Sequence, residues 1–109
     1  MKTIEAIIRL EKVADVRRAL TDKGFTSMTL FQVTGRGEQK EVRLDLAVGT
    51  EVVFDLFARA YIMMAVEDDK AEEVARIITQ AAKTGSKGDG LILVRPVERA
   101  MKIRTGEPI

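Results

Sequence analysis

The chain has 109 residues, 46% apolar and 32% charged, with a formal net charge of +1, a length that holds one domain with a modest core. Balanced charge argues against a nucleic-acid partner, no apolar run approaches a bilayer span, and Met1 to Glu5 lacks a signal peptide's apolar stretch. Cysteine and histidine are both absent, which removes disulfides, thiolate metal sites, the commonest general base and the strongest nucleophile. These features together predict a cytoplasmic binding protein, not an enzyme, with no metal site and no membrane insertion.

Thr3 to Leu10 interleaves isoleucines with polar residues and predicts a strand. Glu11 to Lys23 places Val13, Val16, Ala19 and Leu20 at helical spacing, with Gly24 as the stop. Phe25 to Thr34 reads as a second strand, with Thr29, Phe31 and Val33 on one side, and Gly35-Arg36-Gly37 breaks it. From Glu38 to Ala58 apolar and acidic residues mix around Gly49, a pattern that fits either a hairpin excursion or a mobile, function-carrying loop. Tyr61 to Val66 is an apolar strand. Glu67-Asp68-Asp69 then opens a helix whose stripe is Ala71, Val74, Ala75, Ile78, Ala81 and Ala82. Lys83 to Gly90 must turn, Leu91 to Val94 is a strand, Pro96 to Ala100 suggests one helical turn, and Met101 to Arg104 a short edge strand.

This order predicts one α+β domain over residues 1–109, a ferredoxin-like βαββαβ arrangement with a long excursion at about 37–58. Both helices then share one sheet face. The opposite face, with Phe31 and Met63, needs cover, and burial in an oligomer supplies it.

Three stretches carry candidate chemistry. In Lys83-Thr84-Gly85-Ser86-Lys87-Gly88-Asp89-Gly90, glycines let successive N–H groups point into one concavity, which suits a phosphate, with Lys83 and Lys87 adding charge. Spacing alone equally fits a flexible helix-to-strand turn with solvated lysines. In Lys102-Ile103-Arg104, strand alternation puts both cations on one side, for a shared anion or for discouraging edge pairing. Gly35-Arg36-Gly37 brings backbone close to a ligand or simply permits a sharp exit from the strand. Asp45 and Asp55 flank the excursion and read as solvated charges, not as metal ligands; Met63-Met64 reads as core filling.

These stretches occur in the order and spacing of one family. Over nearly its whole length the chain resembles PII signal-transduction proteins. The resemblance rests on Met1-Lys2-Thr3-Ile4-Glu5-Ala6-Ile7-Ile8-Arg9, Gly24-Phe25-Thr26-Ser27-Met28-Thr29, Ala82-Lys83-Thr84-Gly85 with Gly88-Asp89-Gly90, and Ile103-Arg104-Thr105-Gly106-Glu107. It implies a homotrimer with adenine nucleotides (ADP, ATP or AMP) in clefts between subunits and 2-oxoglutarate joining ATP and Mg²⁺ in many members. A flexible loop then reports nitrogen, carbon or energy status to a protein target, such as an ammonium or other transporter or a metabolic enzyme. Residue by residue, Thr29, Gly35, Arg36, Gly37, Glu38, Gly88, Asp89, Gly90, Lys102 and Arg104 fall on or beside nucleotide-site positions, and Gln39 and Arg59 on positions that serve Mg²⁺ and 2-oxoglutarate.

The departures from the family pattern are specific. Leu91 stands where a phosphate-binding lysine is usual, and Glu38 where an arginine is usual, which together remove three units of positive charge; Arg36 restores part of it. Lys102 keeps a cation but lacks arginine's fork. Glu41 replaces a common glycine, and Val52 falls where a modifiable loop tyrosine would sit, so uridylylation there is not expected. Besides a nitrogen sensor, the residues admit a related regulator of a transporter or of a carbon- or nitrogenase-associated system, or a structural trimer without ligand. An acylphosphatase-like enzyme is disfavoured, because the chain contains no asparagine to orient a water.

Overall fold

The structure, a computed structural model, describes residues 1–38, 41–47 and 49–109, with backbone alone for Val52 and Phe54. Strand β1 (Lys2–Arg9) is followed by helix α1 (Val13–Asp22), β2 (Thr29–Gly35), β3 (Val42–Ala47), β4 (Thr50–Phe54), β5 (Phe57–Val66), helix α2 (Ala71–Ala82) and β6 (Leu91–Pro96). A 3₁₀ turn leads into each helix, at Leu10–Lys12 and Asp68–Lys70. Four strands form one sheet in the order β2-β5-β1-β6, with every neighbouring pair antiparallel. Strands β3 and β4 form a separate two-stranded hairpin between β2 and β5. With the hairpin set aside, this is the ferredoxin-like βαββαβ fold that the element order predicts.

The core follows from two periodicities. In β1 every second residue faces inward, so Ile4, Ala6 and Ile8 are buried, and the register sets them opposite Met64, Ile62 and Ala60 of β5. The helices supply Val16 and Leu20 from α1 and Ala71, Val74, Ile78 and Ala82 from α2. The first helix ends as the sequence predicts. Gly24 has φ +88°, its N–H donates to the Thr21 carbonyl and the Phe25 N–H donates to the Leu20 carbonyl, both at 2.9 Å, a Schellman closure.

That closure explains one boundary difference. The second strand starts at Thr29, not Phe25, because the Phe25 amide closes the helix while Phe25 and Met28 pack against the core. The strand expected to open at Tyr61 opens at Phe57, since Phe57 to Ala60 pair with Gln32 to Gly35. The C-terminal segment departs further. No helical turn forms at Pro96 to Ala100, where β6 continues to Pro96. No edge strand forms at Met101 to Arg104. Instead Met101 bridges Pro108, the Lys102 N–H donates to the Glu107 carbonyl, and the Gly106 N–H returns to the Lys102 carbonyl at 2.7 Å. The chain reverses through Ile103 to Thr105, so Lys102 and Arg104 do not alternate as strand neighbours.

The sheet face away from the helices is open in the single chain. Phe31 stacks on Tyr61 with ring centroids 4.9 Å apart. The Tyr61 hydroxyl donates to Glu5, whose carboxylate also receives Arg95 at 2.7 Å. That donated bond, with burial, pushes the Tyr61 hydroxyl's pKa above its ordinary value. Around this group Phe31, Met63, Leu91 and Leu93 are exposed, as expected of a face that needs cover. Among the described residues no helix is long and apolar enough to cross a membrane.

Candidate functional site

The turn between α2 and β6 owes its shape to Asp89. Gly88 and Gly90 take φ of +98° and +106°, and between them the Asp89 carboxylate faces back along the turn. It accepts the N–H groups of Thr84 and Gly85, each at 2.9 Å, and the Thr84 hydroxyl. From β1, Arg9 Nε donates to the same carboxylate at 3.1 Å, while another guanidinium nitrogen donates to the Lys87 carbonyl at 2.9 Å. The Thr84 hydroxyl foremost, then the two amides and Arg9, hold the Asp89 carboxyl far below the usual carboxylate range against a smaller opposing effect of desolvation. Asp89 is therefore ionised across the neutral range and engaged within the chain.

Gly90 is fixed by packing. A Cβ placed there would lie 1.7 Å from the Ile7 carbonyl oxygen, so the turn rests directly on the backbone of the central strand. Gly35 and Gly37 differ. Neither has a positive φ, and a Cβ on either would meet nothing within 4 Å.

Between the turn and the end of β2 lies a cleft of about 430 Å³, lined by Ile7, Gly35 to Glu38, Arg59 and Ser86 to Leu91. The structure thus brings together Gly35, Arg36, Gly37, Glu38, Arg59, Gly88, Asp89 and Gly90 of the sequence-derived site. Lys87 faces this cleft, whereas Lys83 lines a smaller apolar hollow of about 280 Å³ beside α2. Leu91 and Glu38 both line the cleft. Arg36 donates to Asp55 at 3.1 Å across the base of the hairpin, so part of its charge is already paired. Arg59 lies over the Phe57 ring at 5.3 Å and donates to the Ala58 carbonyl.

Thr29, Lys102 and Arg104 do not line this cleft. Thr29 sits opposite Met63, six residues and roughly 20 Å along β2 from Gly35. Lys102 and Arg104 are exposed on the C-terminal reversal. Gln39 lies outside the described residues, as does the Val52 side chain. Among the described residues no group of three carboxylates converges, and Asp55 is taken by Arg36.

Sequence reasoning missed Arg9 and Thr84 as parts of the site. An aspartate flanked by glycines on an exposed turn needs donors, and that need is the one signal in the sequence that points toward a cation such as Arg9. Their meeting across 80 positions, however, depends on the fold. For an anionic ligand the residues fit: a cleft with Arg36, Arg59 and Lys87, amides on a glycine-rich turn, and two glycines with open space before them.

The family model described as "Nitrogen regulatory protein P-II" matches residues 1–107. "Nitrogen fixation nifHD region glnB-like protein 1" of Methanococcus maripaludis is 41% identical over 105 residues, covering 96% of this chain and 95% of that protein. "Nitrogen regulatory protein GlnK2" of Haloferax mediterranei is 43% identical over 107 residues, covering 98% and 86%. "Nitrogen regulatory protein P-II" of Pasteurella multocida is 42% identical over 107 residues, covering 98% and 95%. With its fold, its braced glycine turn and these likenesses, the chain belongs to the nitrogen regulatory protein P-II family, whose members are regulatory signal transducers and not enzymes.

Proposed function

We propose that the chain is a single-domain, cytoplasmic sensor that binds an adenine nucleotide between subunits of a homotrimer and signals nitrogen, carbon or energy status through the segment 37–58. The observation that carries this reading is the cleft, where the exit of β2 and the turn 86–91 converge. The split of the candidate residues supports the trimer. Thr29, Lys102 and Arg104 stand apart from the cleft, and a neighbouring copy offers them to it across the subunit boundary. The exposed apolar sheet face supports the same assembly. A monomer seen by light scattering at micromolar concentration would rule the trimer out.

The target is a protein such as an ammonium or other transporter or a metabolic enzyme. One observation favours a second reading, a regulator in a nitrogenase-associated system: the Methanococcus relative is named for a nitrogen fixation region.

Charge sets the expected ligand preference. Each additional phosphate brings negative charge into a cleft where Leu91 and Glu38 supply no cation and Arg36 is shared with Asp55. ADP or AMP should therefore bind at least as tightly as ATP, with little coupling to 2-oxoglutarate and Mg²⁺. Calorimetric titration with ATP, ADP and AMP, each with and without 2-oxoglutarate and Mg²⁺, tests this. The Leu91→Lys/Glu38→Arg double variant should shift preference toward ATP by about 2–4 kcal/mol. Binding of no adenine nucleotide at millimolar concentration would overturn the nucleotide reading. Tight ATP binding strengthened by 2-oxoglutarate would overturn the charge argument alone.

A further inference from the structure

We propose that Arg9, on the central strand, is the positioning residue that holds the turn 84–90 in its phosphate-receiving shape. The proposal rests on the nucleotide reading above for the identity of the ligand, but the brace itself is visible without one.

The turn is solvent-exposed from Lys83 to Lys87 and belongs to no helix or strand, so its shape must come from side chains. Asp89 gathers the Thr84 and Gly85 amides from one side, and those donors are then spent inside the turn. The Ser86 amide is likewise directed to the Thr84 hydroxyl at 3.2 Å. Left alone, this arrangement would present a full negative charge to an arriving phosphate. Arg9 corrects that and adds a second attachment. One nitrogen meets the carboxylate and another the Lys87 carbonyl two residues earlier, so one planar group grips the turn at both points. Its own base is firm: Ile8, the preceding residue, is buried at 2% exposure, and the Arg9 side chain is only 14% exposed. Among the described residues, the amides drawn to Asp89 or to the Thr84 hydroxyl are those of residues 84–86, while residues 87–90 line the cleft.

A lysine in place of Arg9 keeps the charge but not the fork; a methionine keeps neither. The test compares the intact chain with Arg9→Lys and Arg9→Met, at a temperature where all three are fully folded by circular dichroism. Without ligand, hydrogen exchange at the Thr84 and Gly85 amides should accelerate at least about tenfold in Arg9→Met, with core amides of β1 and α2 changed far less. Titration with ADP and with adenosine supplies a readout that general destabilisation would not move selectively. The ADP dissociation constant should rise about tenfold in Arg9→Met and less in Arg9→Lys, while that of adenosine, which has no phosphate, stays within about twofold. Equal losses for ADP and adenosine, or unchanged Thr84 and Gly85 exchange, would overturn the positioning role. If the intact chain bound neither ligand, the nucleotide reading would fail by itself, and the exchange measurement would still decide whether Arg9 braces the turn.

Discussion

The sheet-and-helix body and the β3–β4 hairpin are written in similar residues and end in opposite states. In β1 and β5 alternating Ile, Ala, Met and Val meet two helices, and Ile4, Ala6, Ala60 and Ile62 are fully buried. In β3 the alternation Val42, Arg43, Leu44, Asp45 is just as regular, yet Leu44 stays 46% and Leu46 67% exposed. Its ion pairs are local: Arg43 reaches Glu41 and Glu51, each at 2.6 Å, inside the hairpin itself. Alternation makes a strand, but only a facing layer makes a core. A hairpin that binds its own charges and exposes its own leucines has surface to offer another molecule, which is the part the proposed function assigns to it.

The comparison is broken most severely at the body's tightest contact. Gly90→Ala sets a methyl group against the Ile7 carbonyl and should cost more than about 4 kcal/mol or abolish folding, read by urea denaturation. Ile62→Ala, deep in the sheet, should cost about 2–5 kcal/mol. Leu44→Ala, the same kind of truncation in the hairpin, should lie within about 0.5 kcal/mol, and a loss near that of Ile62→Ala would mean that the hairpin is packed in solution. Gly37→Ala should leave stability similarly untouched while weakening ADP binding, because the space before it is open only until a ligand fills it.

The finest test concerns pH. The folded chain holds the Asp89 carboxyl far below its unfolded value of about 3.9, so its ionised form favours folding. That contribution is complete above the unfolded value and fades only as pH falls toward the depressed folded one. The stability gap between the intact chain and Asp89→Asn should therefore be constant from pH 8 to about pH 5 and narrow below about pH 4. A gap that changed between pH 6 and 8 would contradict the bonding described for this carboxylate.

Much of the body was legible because burial enforces the period that sequence displays. Ile4, Ala6 and Ile8 can face one way only, and Val74 and Ile78 share a helix face for the same reason. The C-terminal segment was misread because alternation in Met101 to Arg104 carries no sign that Gly106 and Pro108 fold back upon it. The site was legible as a set of stretches but not as roles. Asp89 stands in the most informative motif, yet its partner lies 80 positions away, and no local pattern announces Arg9. Nor does sequence distinguish the glycines.

That distinction has an evolutionary consequence. The Ile7 carbonyl forbids a side chain at residue 90 whether or not anything ever occupies the cleft, whereas nothing in the chain itself crowds residues 35 and 37, which under the proposed function stay small only while a ligand requires it. A lineage that abandoned its ligand would keep the Gly88-Asp89-Gly90 triplet as the fold's own signature and let the other two glycines drift. In descendants of this chain the triplet therefore records ancestry, and the pair at the end of β2 records continued use.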